Sequence, residues 1–308
     1  MWSGTRRLGL RAARKLKQII IAIVGFFAVW VLRAIRRMNP DRIAAAATAV
    51  APRIGRWLPE HRIGRANLAA AYPEKSPREI EEILCGVWSN LGRVSAEYAH
   101  LDRLWDFDPA RPSRIEIAPD TAERFVRLRD DGKPALIFAA HLANWELPAL
   151  AASAYGLETA ILYRAPSVSP VANAVRRIRT LNMGTLIPTG IGAPSAAAAA
   201  LERGTHVAML VDQYYYRGTE VTFFGRRCAS NSMIARLARH YECPLHGTRV
   251  IRLPDNRFRV ELTEAIVAPR DADGRIALQP TMQLITSIVE GWIRENPEQW
   301  LWLHRRWR

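Results

Sequence analysis

The first contrast along the chain is between one uninterrupted apolar run and a long body of short alternating segments. Residues 19–32 read IIIAIVGFFAVWVL without a charge, and basic residues close both ends: Arg11, Arg14, Lys15 and Lys17 before it, Arg33, Arg36 and Arg37 after it. As a helix these fourteen residues reach about 21 Å. That is short of a ~30 Å hydrocarbon core unless Arg33 snorkels and Ala34 and Ile35 extend the run. The pattern therefore predicts an N-terminal membrane helix that either spans or lies embedded in the interface. A secretory signal fits poorly, because dense positive charge follows the run and no cleavage site is evident. With both flanks basic, the charge rule leaves the orientation open.

Residues 40–100 read as helical. An alanine-rich run starts at Ile43, and Ser76-Pro77-Arg78-Glu79 supplies an N-cap, a proline at the first helical position and a glutamate at the third, predicting a helix to about His100. From Pro134 the period shortens. Strands are predicted at Pro134–Ala140, Thr159–Tyr163, Thr205–Val211, Leu245–Leu253 and Phe258–Leu262, with helices beginning near Asn144, Val168 and Pro194, the last closed by Gly204. Pro254-Asp255-Asn256 makes the last two strands a hairpin. Strands alternating with helices predict an α/β fold, a mixed sheet flanked by helices, preceded by the membrane helix and the helical region. The expected organisation is a basic anchor over 1–37, a helical region over 38–100 and an α/β domain over 101–308.

Composition sharpens the N-terminal reading. The net charge is +15, yet residues 1–70 hold fourteen Lys or Arg against only Asp41 and Glu60, so most of the excess sits at one end. A balanced body with a basic, apolar end points to a membrane surface. Nucleic acid is disfavoured, because an uncharged apolar run is a poor neighbour for a phosphate-reading arm. Cys85, Cys228 and Cys243 form neither a CxxC pair nor an even set, so no disulfide framework or zinc ribbon is expected.

The sharpest candidate for chemistry is His141-Leu142-Ala143-Asn144-Trp145-Glu146, directly after the predicted strand PALIFAA. Catalytic groups favour the carboxyl ends of strands in open α/β sheets. On one helix, residues five apart point about 140° away from each other. If Asn144 instead caps the helix, His141 lies outside it and Glu146 in its first turn, and the two can meet. A carboxylate on one imidazole nitrogen fixes the tautomer and frees the other to take a proton from a hydroxyl. The competing reading is a strand-end histidine satisfied by backbone. Arg164 and Asp212 each end a predicted strand, the first open to a phosphate clamp or a surface ion pair, the second to orienting Arg164 or substrate or to capping a loop. Arg236 and Arg239 recur at i, i+3 on a helix expected near Ser230. With 40 arginines and four lysines in the chain, single arginines say little. Trp300, Trp302 and Trp307 around His304-Arg305-Arg306 read as an interfacial patch or as buried terminal aromatics.

Taken together, HLANWE, Tyr163-Arg164-Ala165-Pro166, Val211-Asp212-Gln213, Phe223-Phe224-Gly225 and PEQWLWLHRRW at 297–307, with Arg65-Ala66-Asn67-Leu68 and Tyr72-Pro73-Glu74 upstream, closely resemble the bacterial lipid A biosynthesis acyltransferases. These are lauroyl/myristoyl-type members of the lysophospholipid acyltransferase superfamily, and the ordered set covers residues 15–307. The resemblance implies a glycerol-phosphate-acyltransferase-like fold and transfer of a fatty acyl group from an acyl carrier protein thioester to a hydroxyl of a lipid A precursor. It places the enzyme at the cytoplasmic face of the inner membrane, among its lipids. His141 and Glu146 match the family's His-x4-acid motif as catalytic residues, and Arg164 and Asp212 match its Tyr-Arg and Asp-Gln blocks. Tyr163, Gln213 and Arg236 join them as expected substrate-binding residues. Leu142, Ala143 and Asn231-Ser232 depart from the commoner pattern, which bears on chain length and acceptor.

A thioester is already activated, so neither a metal nor another cofactor is expected; the enzyme need only deprotonate a hydroxyl and stabilise an oxyanion. HExxH, the Gly-x-Ser-x-Gly elbow and the Gly-x4-Gly-Lys-Ser/Thr loop do not occur in the sequence. Two alternatives stay open: an acyltransferase for another phospholipid or glycolipid, and a non-catalytic acyl-binding membrane protein.

Overall fold

The computed structural model describes residues 26, 30, 31, 33–108, 111, 113–164, 177, 179 and 183–307. The apolar run 19–32 therefore lies almost wholly outside the described residues, as does the helix expected near Val168. No described helix is long and apolar enough to cross a membrane, so the expected N-terminal span has no support there.

The helical region consists of α1 (Pro40–Gly55), α2 (Pro59–Ala71) and α3 (Pro77–Glu97). Each starts on proline, which has no N–H to leave unpaired in a first turn. The capping box at α3 forms as its sequence implies: Glu79 N–H donates to Ser76 Oγ at 3.3 Å, and Ser76 N–H donates to Glu79 Oε2 at 2.8 Å. A 3-10 turn over Tyr98–His100 and the short α4 (Leu101–Leu104) continue it.

The α/β region contains β1 (Ile115–Ile117), α5 (Pro119–Asp130), β2 (Leu136–Ala139), α6 (Leu147–Ala154), β3 (Thr159–Tyr163), β4 (Thr185–Pro188), α7 (Ala193–Glu202), β5 (His206–Leu210), β6 (Tyr214–Phe223), β7 (Arg226–Ser230), α8 (Met233–Tyr241), β8 (Leu245–Arg252), β9 (Phe258–Leu262) and α9 (Leu278–Glu295). Seven strands form one sheet in the order β1-β9-β8-β2-β5-β3-β4. All neighbours are parallel except β8 and β9, which form the antiparallel hairpin turned by Asp255 and Asn256 at positive φ. The sheet is thus mixed and flanked by helices. β6 and β7 form a separate antiparallel pair.

Alternation along β2 sorts the core. Leu136, Phe138 and Ala140 face the larger cluster with α7, α8 and α9, while Ala135 and Ile137 face the cluster built with α5 and α6. Gly247 of β8 is needed for close approach on the first face, where a Cβ would stand 2.8 Å from both the Phe138 and the Trp292 rings. Those rings stack at 5.7 Å.

The C-terminal tryptophans settle inward. Trp300 and Trp302 are buried, packed on one another, on Phe223 and on Phe224, and the Arg306 guanidinium donates to Ala229 O and Ser230 Oγ. This corrects the interfacial-patch reading: the aromatics and Arg306 fasten the chain end to the β6–β7 pair.

Candidate functional site

Strand register builds the centre of the site. Ala139 of β2 pairs with Leu210 of β5 in a parallel ladder, so the residues two further along, His141 and Asp212, emerge side by side at the carboxyl edge. Asp212 Oδ1 lies 2.8 Å from His141 Nδ1, and its Oδ2 accepts the His141 backbone N–H at 2.9 Å and the Trp300 indole N–H at 2.7 Å. Burial pulls the imidazole pKa down, but the Asp212 charge and hydrogen bond outweigh it and the net shift is upward. Burial would raise the Asp212 carboxyl; the facing imidazole and its hydrogen bonds hold it well below the usual carboxylate range instead. With Nδ1–H given to Asp212, Nε2 is left as an acceptor, and the Gln213 amide nitrogen lies 3.4 Å from it.

This corrects the expected orienter. Glu146 makes no hydrogen bond to His141; it is buried and forms a bidentate pair with Arg179, whose Nε donates to Oε2 at 2.9 Å. The reason is local. Asn144 does not cap a helix with Glu146 in its first turn. The segment is a turn in which Ala143 takes φ +46°, Asn144 Oδ1 accepts the Glu146 N–H at 3.2 Å, and α6 starts at Leu147 with Glu146 as its cap residue. Asp212 likewise orients His141 rather than Arg164.

The turn is held in a polar frame. Asn144 Nδ2 donates to Glu97 Oε2 at 2.9 Å, and Arg252, at the end of β8, reaches both Glu97 oxygens at 2.5 and 2.9 Å. Arg252 Nε also donates to Asn90, whose amide reaches the Ala143 and Gln299 carbonyls. On the other side Ala143 N–H donates to Gln299 O and Leu301 N–H to His141 O.

A cavity of about 320 Å³ opens beside this centre, lined by His141, Trp145, Glu146, Tyr163, Arg164, Arg179 and Gln213 at the strand ends. It continues along β3 to Thr159 between apolar walls that include Phe125, Ile137, Ile161 and Leu262. From Thr159 to Arg164 is about 16 Å at the rise of a strand. Ala139, Ala149, Ala152 and Ala208 leave it open by their small side chains. The Trp145 ring meets His141 edge-on at 5.2 Å, and Arg179 sits 5.7 Å from the centres of the Tyr98 and Tyr163 rings.

The fold thus gathers five of the expected residues, His141, Glu146, Tyr163, Arg164 and Gln213, around one cavity, with Asp212 buried behind His141. Arg236 is not brought there: it is exposed on α8 and donates to Ser232 Oγ, outside the lining. Sequence reasoning missed Arg179, because nothing in spacing marks it among so many arginines. It also missed the Glu97–Arg252 pair, whose members are far apart in the chain. Among the described residues no group of His, Cys, Asp and Glu is arranged to hold a metal ion.

A search of curated proteins gave no match. A family model described as bacterial lipid A biosynthesis acyltransferase matches residues 11–308, nearly the entire chain, and the protein therefore belongs to that family of acyltransferases.

Proposed function

We propose that this acyltransferase moves a fatty acyl group from an acyl carrier protein thioester to a hydroxyl of a phosphorylated lipid A precursor, as a late acylation step. The observation that carries the reading is His141: its Nδ1 is tied to Asp212 and its ring lines the mouth of a deep apolar cavity. Nε2 takes the proton of the acceptor hydroxyl as its oxygen attacks the thioester carbonyl. The tetrahedral intermediate collapses with loss of the thiolate, and the imidazolium returns the proton to that sulfur. Asp212 stabilises the transient imidazolium. Arg179, fixed by Glu146 at the same mouth, and Arg164 supply positive charge for the oxyanion and for acceptor phosphates. The apolar cavity takes the alkyl chain.

Attachment through residues 15–37 completes the proposal and rests on the uncharged Ile19–Leu32 run and its basic flanks, while catalysis on the cytoplasmic face of the inner membrane is what the family resemblance implies. The test is incubation of purified protein with labelled acyl carrier protein thioester and a panel of lipid acceptors, read by mass spectrometry. Acylation of a lipid A precursor by wild type and its loss in His141→Ala are the expected outcome. Acylation of other phospholipids alone would overturn the acceptor, and wild-type turnover in His141→Ala would overturn the mechanism.

A further inference from the structure

α1 carries two apolar faces, and the fold uses one. Its inner face rides on α3 through small residues: a Cβ on Gly92 would stand 2.6 Å from Ala51 Cβ and 2.9 Å from Ala47 O, and one on Gly55 would enter the Trp88 ring. The outer face presents Ala46, Val50, Ile54 and, just past the helix end, Trp57, at spacings of four, four and three that keep them in one stripe. Val50 is 48% exposed, Ile54 57% and Trp57 85%. Met38, just upstream of the helix, is also exposed.

The charges beside the stripe are predominantly basic; of the neighbouring carboxylates Asp41 pairs with Arg114 and Glu81 with Arg65, and Glu60 lies three residues past Trp57. Arg42, Arg53 and Arg56 border it, and Arg33, Arg37 and Arg62 lie nearby; none of the six has a carboxylate partner among the described residues. Exposed tryptophan and isoleucine bordered by unneutralised arginine is the pattern of a helix lying in a lipid interface, apolar side chains among acyl chains and guanidinium groups at phosphate level. A second copy of the chain fits poorly, because pairing this face with itself would bring like-charged arginines together.

We propose that the outer face of α1, with Trp57, is a docking surface for an anionic phospholipid bilayer, distinct from the apolar run at 19–32. α1 packs on α3, and α3 supplies Asn90 and Glu97 to the frame of the His141 turn. Docking α1 therefore fixes the height and tilt of the catalytic centre over the lipid. The surface goes beyond the acyl-transfer reading, and its test reads depth rather than turnover, so either can fail alone.

The test uses the full chain with Cys85→Ser, leaving two buried cysteines, and single nitroxide labels at Val50→Cys, Ile54→Cys or Trp57→Cys, with Arg78→Cys as the aqueous control. On vesicles of phosphatidylethanolamine with phosphatidylglycerol, power saturation should show the three labels accessible to oxygen and shielded from an aqueous nickel chelate, with the reverse at position 78. Replacing Arg42, Arg53 and Arg56 together by glutamate should move the labels back toward water. Labels that stay aqueous while the protein sediments with vesicles would overturn the proposal. So would labels shielded from both probes, which means cover by protein, or label-to-label coupling between copies in the absence of lipid.

Discussion

Asp212 grips His141 twice, its Oδ1 2.8 Å from the ring Nδ1 and its Oδ2 2.9 Å from the backbone nitrogen of the same residue. One carboxylate thus sets the tautomer of the imidazole and fixes the strand end that carries it. Trp300 in turn holds the carboxylate, so the C-terminal segment and His141 are mechanically joined.

A pH dependence follows with a definite sign. In the proposed mechanism His141 acts as the neutral imidazole, so activity should rise as pH passes its pKa, which burial lowers and Asp212 raises more, to a net position above the ordinary 6.5. In Asp212→Asn the burial effect remains without the opposing charge. The acid limb of kcat/KM should therefore move to lower pH, while the plateau drops by about 10²–10⁴-fold because the proton-accepting geometry and the imidazolium are no longer supported. An acid limb that stays in place in the variant would show that Asp212 does not tune the base.

Glu146 and Arg179 should behave as one unit. Glu146 is buried and the Arg179 side chain is only 17% exposed, so removing either partner leaves the other charge desolvated. Each single alanine variant should lose about 3–5 kcal/mol of stability, and the double variant far less than the sum. Denaturant unfolding of the four proteins checks the cycle. Additive losses would mean that solvent already screens the pair.

What the sequence disclosed and what it hid divide along chain distance. The edge residues were readable because a strand's end is a local signal, and Thr159–Tyr163 and Phe258–Leu262 form with the expected bounds. The capping box of α3 was equally local. Which carboxylate meets His141 was not readable, since it depends on β2 lying beside β5, a pairing across 71 positions that no spacing encodes. The nearby Glu146 was the natural choice from spacing, and the left-handed Ala143 diverts it. β1 and β4 escaped because strands of three and four residues at the sheet edges carry too little alternation to stand out.

The frame beneath the turn makes a separate prediction. Glu97 and Arg252 are both nearly buried, and Asn144 hangs on that pair. Glu97→Ala should destabilise the fold by about 3–5 kcal/mol through the stranded arginine. Ala143→Val attacks the same turn from the backbone, because a β-branched residue strongly resists φ +46°. It should lower kcat more than it raises KM, since the cavity walls are untouched while the base is displaced. Steady-state kinetics on folded protein, judged by circular dichroism, separates this from a simple loss of stability.

The cavity predicts graded acyl selectivity with a movable floor. Its walls are mainly apolar, with Thr159 and Thr248 among them, so discrimination between neighbouring chain lengths rests chiefly on burial, at roughly 0.8 kcal/mol per methylene. Ala152 lines the cavity from α6, more than a helical turn beyond Glu146, where a larger side chain would fill the space a longer acyl tail needs. Ala152→Phe should therefore shift the optimum toward shorter thioesters, leaving kcat for short ones within a few-fold of wild type because His141 and Asp212 are undisturbed. Overpacking costs about 1–3 kcal/mol, so thermal unfolding must accompany the assay. The measurement is kcat/KM across a series of acyl carrier protein thioesters of increasing length, for both proteins. A uniform drop at every length in a folded variant would show that the alkyl chain lies elsewhere, and a flat wild-type profile would show that the cavity does not measure length.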